Sequence, residues 1–147
     1  MGKIKKSARM TPDPVALFAL VILLLPIAYL LLAAPAFLLV KLDIPAVAQL
    51  LRGMFNVYFV MLSIAGVIAA VAFATEGRIA CVIGIGLIAA FAFWARGWFL
   101  QEMDAQIRHQ GDADAARRLR RLHWGGMVGN AIQLVAIMSA IPYIAPA

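Results

Sequence analysis

"PVALFALVILLLPIAYLLLAAPAFLLV", residues 14–40, carries no charged side chain. A helix of about 20 apolar residues crosses the hydrocarbon core of a bilayer, so this run is long enough for one tilted span. It follows the basic start MGKIKK. A cleavable leader would have only ~7 to 15 apolar residues before its small-residue site. The run therefore reads as a retained span, and the small-residue stretch LLAAPA near its end keeps cleavage as the lesser alternative.

Three more apolar runs follow: FNVYFVMLSIAGVIAAVAFAT at 55–75, IACVIGIGLIAAFAFWARGWFL at 79–100 and WGGMVGNAIQLVAIMSAIPY at 124–143. Each has the length of one crossing. None shows the sustained in-out alternation of a transmembrane β-strand, so a barrel is not expected. Composition agrees, because 65% of the 147 residues are hydrophobic, against roughly 45 to 50% in soluble domains, and the mean hydropathy is +0.93. The expected class is an all-α integral membrane protein. A basic tail at 1–13 precedes a single domain at 14–147, a four-transmembrane-helix bundle with spans at 14–40, 55–75, 79–100 and 124–143.

The connections differ in chemistry. In KLDIPAVAQLLRGM, Pro45 suits a first helical turn with Asp43 just ahead, which predicts a short interfacial helix at 45–52. The EGR between the second and third runs leaves room only for a tight antiparallel hairpin. QEMDAQIRHQGDADAARRLRRLH is charged but rich in helix formers, with Asp104 to Arg108 and Asp114 to Arg118 at the spacing of favourable helical pairs. Gly111 and Asp112 form its natural break and cap. Helices 3 and 4 are therefore expected to run on past the membrane as a polar helical hairpin, by ~15 to 18 Å.

The formal charge of +6 comes from basic residues at the ends of apolar runs, the membrane pattern, so nucleic acid is not an expected partner. Lys41, Arg52, Arg96, Arg108, Arg117, Arg118, Arg120 and Arg121 outnumber Lys3, Lys5, Lys6, Arg9 and Arg78 on the opposite side. That balance places the hairpin in the cytoplasm of a multi-pass bacterial inner-membrane protein, although a basic leader ahead of the first helix favours the reverse.

Polar residues inside the apolar helices are the candidate functional positions. On helix 4, Gly126, Gly129, Asn130 and Gln133 share a face about 120° wide, and Gly125 with Gly129 makes a GxxxG pair. Helix 2 offers a matching face of Asn56, Ser63 and Gly66. A contact between helices 2 and 4 is expected, since small residues let backbones approach and amides bond across the gap for ~0.6 to 2 kcal/mol each. Gln133 lies ~13 to 14 Å into the core and needs a partner there. Packing is the first reading of Asn130 and Gln133; a polar pocket for a ligand or headgroup is the second.

Arg96, between Trp94 and Trp98, reads first as a snorkelling interface anchor. Alternatively it is a headgroup or anion ligand, with Glu102 as its ion partner and His123 converging at the same level. Arg117, Arg118, Arg120 and Arg121 span more than one helical face and are expected to meet water, anionic lipid or a docking partner.

Chemistry that transforms a substrate is poorly supplied. Cys81 is the single cysteine, and His109 and His123 are the only histidines. No HxxxH, CxxC or intramembrane acidic pair exists for a metal, and a haem would need a ligand from outside. Ser63 and Ser139 lack a nearby base, and Glu76 lies at a turn, away from the midplane. No catalytic residue, metal site or cofactor is expected, while a lipid, quinone or pigment is the kind of molecule such a bundle would hold. The expected function is that of a non-catalytic accessory or assembly subunit of a larger membrane complex, with the bilayer and other membrane subunits as partners. The alternative is a binding or transport protein for a lipid, quinone or other hydrophobic ligand, and a membrane-bound oxidoreductase ranks last.

The stretches AAPAFLLVKL, LLRGMFNVYF and LRRLHWGGMVGNAIQL, the last with His123 and Asn130, resemble an uncharacterised family of small four-helix bacterial membrane proteins. That family is similar to a eukaryotic transmembrane protein implicated in platinum-drug resistance. The resemblance implies a four-helix bundle, makes His123 and Asn130 family-type positions, and implies no activity. The short second loop and compact hairpin depart from the longer members. A likeness to copper-resistance membrane domains does not extend to their histidine and methionine arrangement, so copper is not implied.

Overall fold

A computed structural model describes residues 13–109 and 113–144. The basic tail and the Gly111–Asp112 break lie outside the described residues. The fold is all-helical, with no strand among the described residues: α1 Pro14–Ala33, a 3-10 turn Ala34–Leu38, α2 Pro45–Thr75, α3 Ile79–Arg108 and α4 Ala113–Ile144. α1 continued through its turn, α2 and α3 are each long and apolar enough to cross a membrane.

Local chemistry sets the boundaries. α1 starts where the Asp13 carboxylate accepts the Val15 amide at 3.0 Å and Pro14 takes the first turn, a position that needs no amide hydrogen. Asp13 also pairs with Arg78 at 3.3 Å, tying the start of α1 to that of α3. α2 is closed off just past Thr75 by Gly77, whose φ of +68° suits a residue without a Cβ. The Arg78 amide donates to the Phe73 carbonyl and the Gly77 amide to Ala74, each at 3.1 Å. This is a Schellman cap, and it reverses the chain within the three residues EGR.

Pro45 does occupy the first turn of a helix, but the expected separate helix at 45–52 merges into the second span. α2 is one helix of 31 residues, about 46 Å long. Gly53 costs a helix only about 1 kcal/mol, and its neighbours Leu51, Met54 and Phe55 are all buried, so packing carries the helix through it. Its first turns lie against the extension of α3 and α4: Leu51, Met103 and Leu119 share one core cluster with Phe37 and Leu42. The extension of α3 and α4, expected as a polar hairpin past the membrane, is therefore backed by the start of α2 and the 3-10 turn. A second cluster, with Ala19, Leu23, Ala69 and Phe73, closes the opposite end.

The expected helical charge pairs are rearranged in the same way. Asp104 forms a two-point ion pair with Arg52 across α2 and α3, its Oδ2 accepting from Nη2 at 2.8 Å, in place of one with Arg108. Asp114 pairs with Arg117 at 3.7 Å rather than with Arg118. A neighbouring helix offers a planar guanidinium that matches the carboxylate fork, and this geometry outcompetes an exposed pair on the same helix.

α4 stands apart from the tightly packed α1–α3 trio. Between Trp124 and Ser139 only Asn130 is buried. Val128, Ile132, Val135 and Met138 face outward together with Val67, Val71, Leu87 and Phe93 of the other helices. An apolar girdle of this kind is stable only against hydrocarbon or another protein.

Candidate functional site

Beyond Trp124, three contacts seat α4 on its neighbours. Gly126 lets α4 approach Phe55 of α2 so closely that a Cβ there would overlap the ring. One turn on, the Asn130 amide donates to the Ile27 carbonyl of α1 at 3.1 Å. Next, the Tyr58 hydroxyl of α2 donates to Gln133 Oε1 at 2.7 Å. All three lie toward α1 and α2; α3 meets α4 where Met103 and Leu119 share a core cluster, and farther along, from Gly125 to Gln133, α4 borders open space on its α3 side.

That opening is a cleft of about 580 Å³ between α2, α3 and α4. Glu102, Arg118 and Arg121 stand at its charged end, Phe91 and Trp98 along its wall, and Gly129 and Gln133 at its far end. A second cavity of about 560 Å³ shares Phe91, Gly129 and Gln133, and is otherwise lined by apolar side chains such as Leu20, Leu23, Leu62 and Ile85. Each volume is in the range of small-molecule sites, roughly 300 to 1,000 Å³. Polarity thus falls along the bundle from arginine to aliphatic carbon.

The glycines of α4 divide into two kinds. Gly126 is a packing position, whereas a Cβ on Gly125 or Gly129 would meet nothing within 4 Å. The GxxxG pair expected to bring helices together instead lines the cleft and keeps it wide. On α2, Gly66 does allow close approach, but to α3: a Cβ there would lie 2.7 Å from that of Ala89. Ser63 bonds back to the Phe59 carbonyl of its own helix. Asn56 also faces α3, where its Oδ1 accepts from Arg96 Nε and Nη2 at 2.9 and 2.8 Å. The α2 surface that meets α4 is that of Phe55 and Tyr58, displaced from the polar face expected to do so.

The proposed convergence of Arg96, Glu102 and His123 does not form. Arg96 is engaged by Asn56, and Glu102 accepts the Gln106 amide at 2.8 Å. His123 is 0% exposed, with its ring edge-on to Phe37 and Phe55, and neither nitrogen has a hydrogen-bond partner in satisfactory geometry. An imidazole on an apolar stripe has been absorbed by the core. Asn130 is also 2% exposed, and its Oδ1 has no partner and no accessible surface, so it braces α1 and does not present an acceptor to the cleft.

The four arginines of α4 separate too. Arg120 donates to the Leu38 and Val40 carbonyls at 3.3 and 3.5 Å, satisfying orphan acceptors at the end of the 3-10 turn. Arg117 pairs with Asp114. Arg118 and Arg121 are exposed, line the cleft, and pair with no carboxylate among the described residues. Sequence reading missed Phe55, Tyr58, Arg52 and Asp104. Tyr58 carried a usable signal, a phenol in an apolar run that had to find a partner; the others depend on distant elements meeting. Among the described residues no three His, Cys, Asp or Glu side chains group as a metal site. Glu102 is the one acid among the described residues that lines the cleft, and no histidine among them lines it. No family model, curated protein or solved structure matches the chain.

Proposed function

We propose that this chain is a multi-pass protein of the bacterial inner membrane that binds an amphiphile, of the lipid or quinone class, in the cleft between α3 and α4. α4 serves as the fourth span through residues 124–143, making a four-transmembrane bundle whose polar end, with the joined ends of α3 and α4, lies in the cytoplasm. The cleft carries this reading, since its lining passes from two arginines that pair with no carboxylate among the described residues, through an aromatic wall, to an aliphatic cavity. A void in a membrane fills with chain or ligand, because an empty one forfeits dispersion contacts along its lining.

The accessory-subunit reading stays as the second, and one observation favours it. Past Trp124 the interhelical hydrogen bonds of α4 go to α1 and α2, so a helix from another membrane protein could occupy the opening beside α3. Extraction in a mild detergent followed by native mass spectrometry distinguishes the two. A retained molecule of lipid or quinone mass supports the binding protein, a retained polypeptide supports the subunit, and an empty monomer contradicts both.

A further inference from the structure

The charges at the mouth of the cleft narrow its occupant, on the reading that the cleft binds an amphiphile. Arg118 and Arg121 of α4 and Glu102 of α3 line one opening, yet no ion pair joins Glu102 to either arginine. Opposite charges about 4 Å apart near a protein surface attract by several kcal/mol, so two signs kept apart across an opening leave a favourable interaction unmade. A group carrying both signs, placed between them, would make it twice.

Their depth is that of lipid headgroups. Trp98 of α3 and Trp124 of α4 are 57% and 51% exposed, and exposed tryptophans mark the membrane–water boundary. Glu102 lies one turn outward from Trp98, and Arg121 and Arg118 lie one and two turns outward from Trp124, about 5 to 9 Å above that level. Below it, the cleft continues past Phe91 to the cavity that reaches Leu20, Leu23 and Ile85. From Arg121 to Ile137, the last cavity-lining residue of α4, is about 24 Å of helix, slightly more than the ~20 to 22 Å depth of one leaflet with its headgroup.

We propose that the occupant is an aminophospholipid, a glycerophospholipid with a primary amine in its headgroup. Its phosphodiester lies between the Arg118 and Arg121 guanidiniums, its ammonium reaches the Glu102 carboxylate, and one acyl chain follows the Phe91 wall into the apolar cavity. Arginine supplies several donors in a plane suited to phosphate. Glu102 supplies the discrimination: it accepts hydrogen bonds from a primary ammonium, which a choline headgroup cannot donate, and a glycerol headgroup has no cation to offset the repulsion between Glu102 and the lipid's own phosphodiester.

The test is lipid competition on the intact protein. Delipidated chain is offered equimolar phosphatidylethanolamine, phosphatidylcholine and phosphatidylglycerol of identical chains, and retained lipids are counted by native mass spectrometry. One phosphatidylethanolamine per chain is expected, preferred by about three- to tenfold, the effect of one charge-assisted hydrogen bond in a partly exposed site. Glu102→Gln should remove that preference while retaining phospholipid. The double change Arg118→Gln with Arg121→Gln should lose retention of all three, with helicity unchanged by circular dichroism because both side chains are exposed. Equal or stronger retention of phosphatidylglycerol or phosphatidylcholine by the unaltered protein overturns the aminophospholipid, as does an undiminished preference in Glu102→Gln. Retention of a quinone or other phosphate-free amphiphile overturns it and leaves the cleft reading standing. Retention of nothing overturns the cleft reading itself.

Discussion

Replacing Gly126 with Ala tests how α4 is seated. The added methyl group would overlap Phe55, a ring with no room to yield: it is fully buried, 4.8 Å between centroids from Phe99 and 5.9 Å from His123. Overpacking of this kind costs about 1 to 3 kcal/mol. The same change recovers up to about 1 kcal/mol of helix propensity, which would mask part of the loss. Gly125→Ala supplies the reference, because its methyl meets nothing within 4 Å and the propensity gain cancels in the difference. Unfolding in mixed micelles at increasing dodecyl sulfate, followed by tryptophan fluorescence and circular dichroism, should place Gly126→Ala about 1 to 3 kcal/mol below Gly125→Ala. In a Phe55→Leu background the gap should shrink, since the two positions share one contact and their effects are not additive. Equal stability of the two alanine variants, or an unchanged gap beside Leu at position 55, would refute the seating.

Three further outcomes follow from the same contacts. Gln133→Leu should insert normally but weaken the bundle by ~0.6 to 2 kcal/mol, and should cost little once Tyr58→Phe has removed the donor; additive losses in the double-mutant cycle would show that the two side chains do not bond. His123→Leu should be neutral or stabilising in the same micelle assay, since it removes two buried nitrogens without a well-formed hydrogen bond, a situation that costs about 1 to 3 kcal/mol, and a marked loss of stability would show that the ring's interaction with the Ala34 carbonyl matters. Asp104→Asn should cost about 0.5 to 1 kcal/mol, because the Arg52 pair is two-pointed but one-third exposed on each side and water screens it. An unchanged midpoint would remove that pair from the forces holding α2 to α3.

Element type and order were legible from the sequence because hydrocarbon leaves a backbone few alternatives to a helix, and a charge-free run such as residues 14–40 announces one. The EGR turn was legible for the same reason of economy: three residues joining two spans admit only a hairpin. What escaped was the partner of each polar side chain. Asp104 sits where either Arg108 or Arg52 could meet it, and only the merging of residues 45–52 into α2 brings Arg52 alongside. Face arithmetic put Asn56 and Gly66 opposite α4, yet a helix has two flanks, and the ones they belong to meet α3. The candidate site was half visible: Gln133, Arg118 and Arg121 were singled out from their chemistry. Gly125 and Gly129 were seen but read as contacts, because a missing side chain looks the same in a sequence whether a neighbouring backbone or a ligand takes its place.

Filling the cleft tests its occupancy most directly. Gly129 borders both cavities, with open space where its Cβ would lie, so Gly129→Leu should place an isobutyl group across the junction. Gly86, which also has nothing within 4 Å and lines neither cavity, is the control for a larger side chain in a membrane helix. Native mass spectra from mild detergent should show one retained amphiphile on the unaltered chain and on Gly86→Leu, and none on Gly129→Leu, with all three equally helical. The same adduct persisting on Gly129→Leu would contradict the claim that this cleft is where the protein holds its ligand.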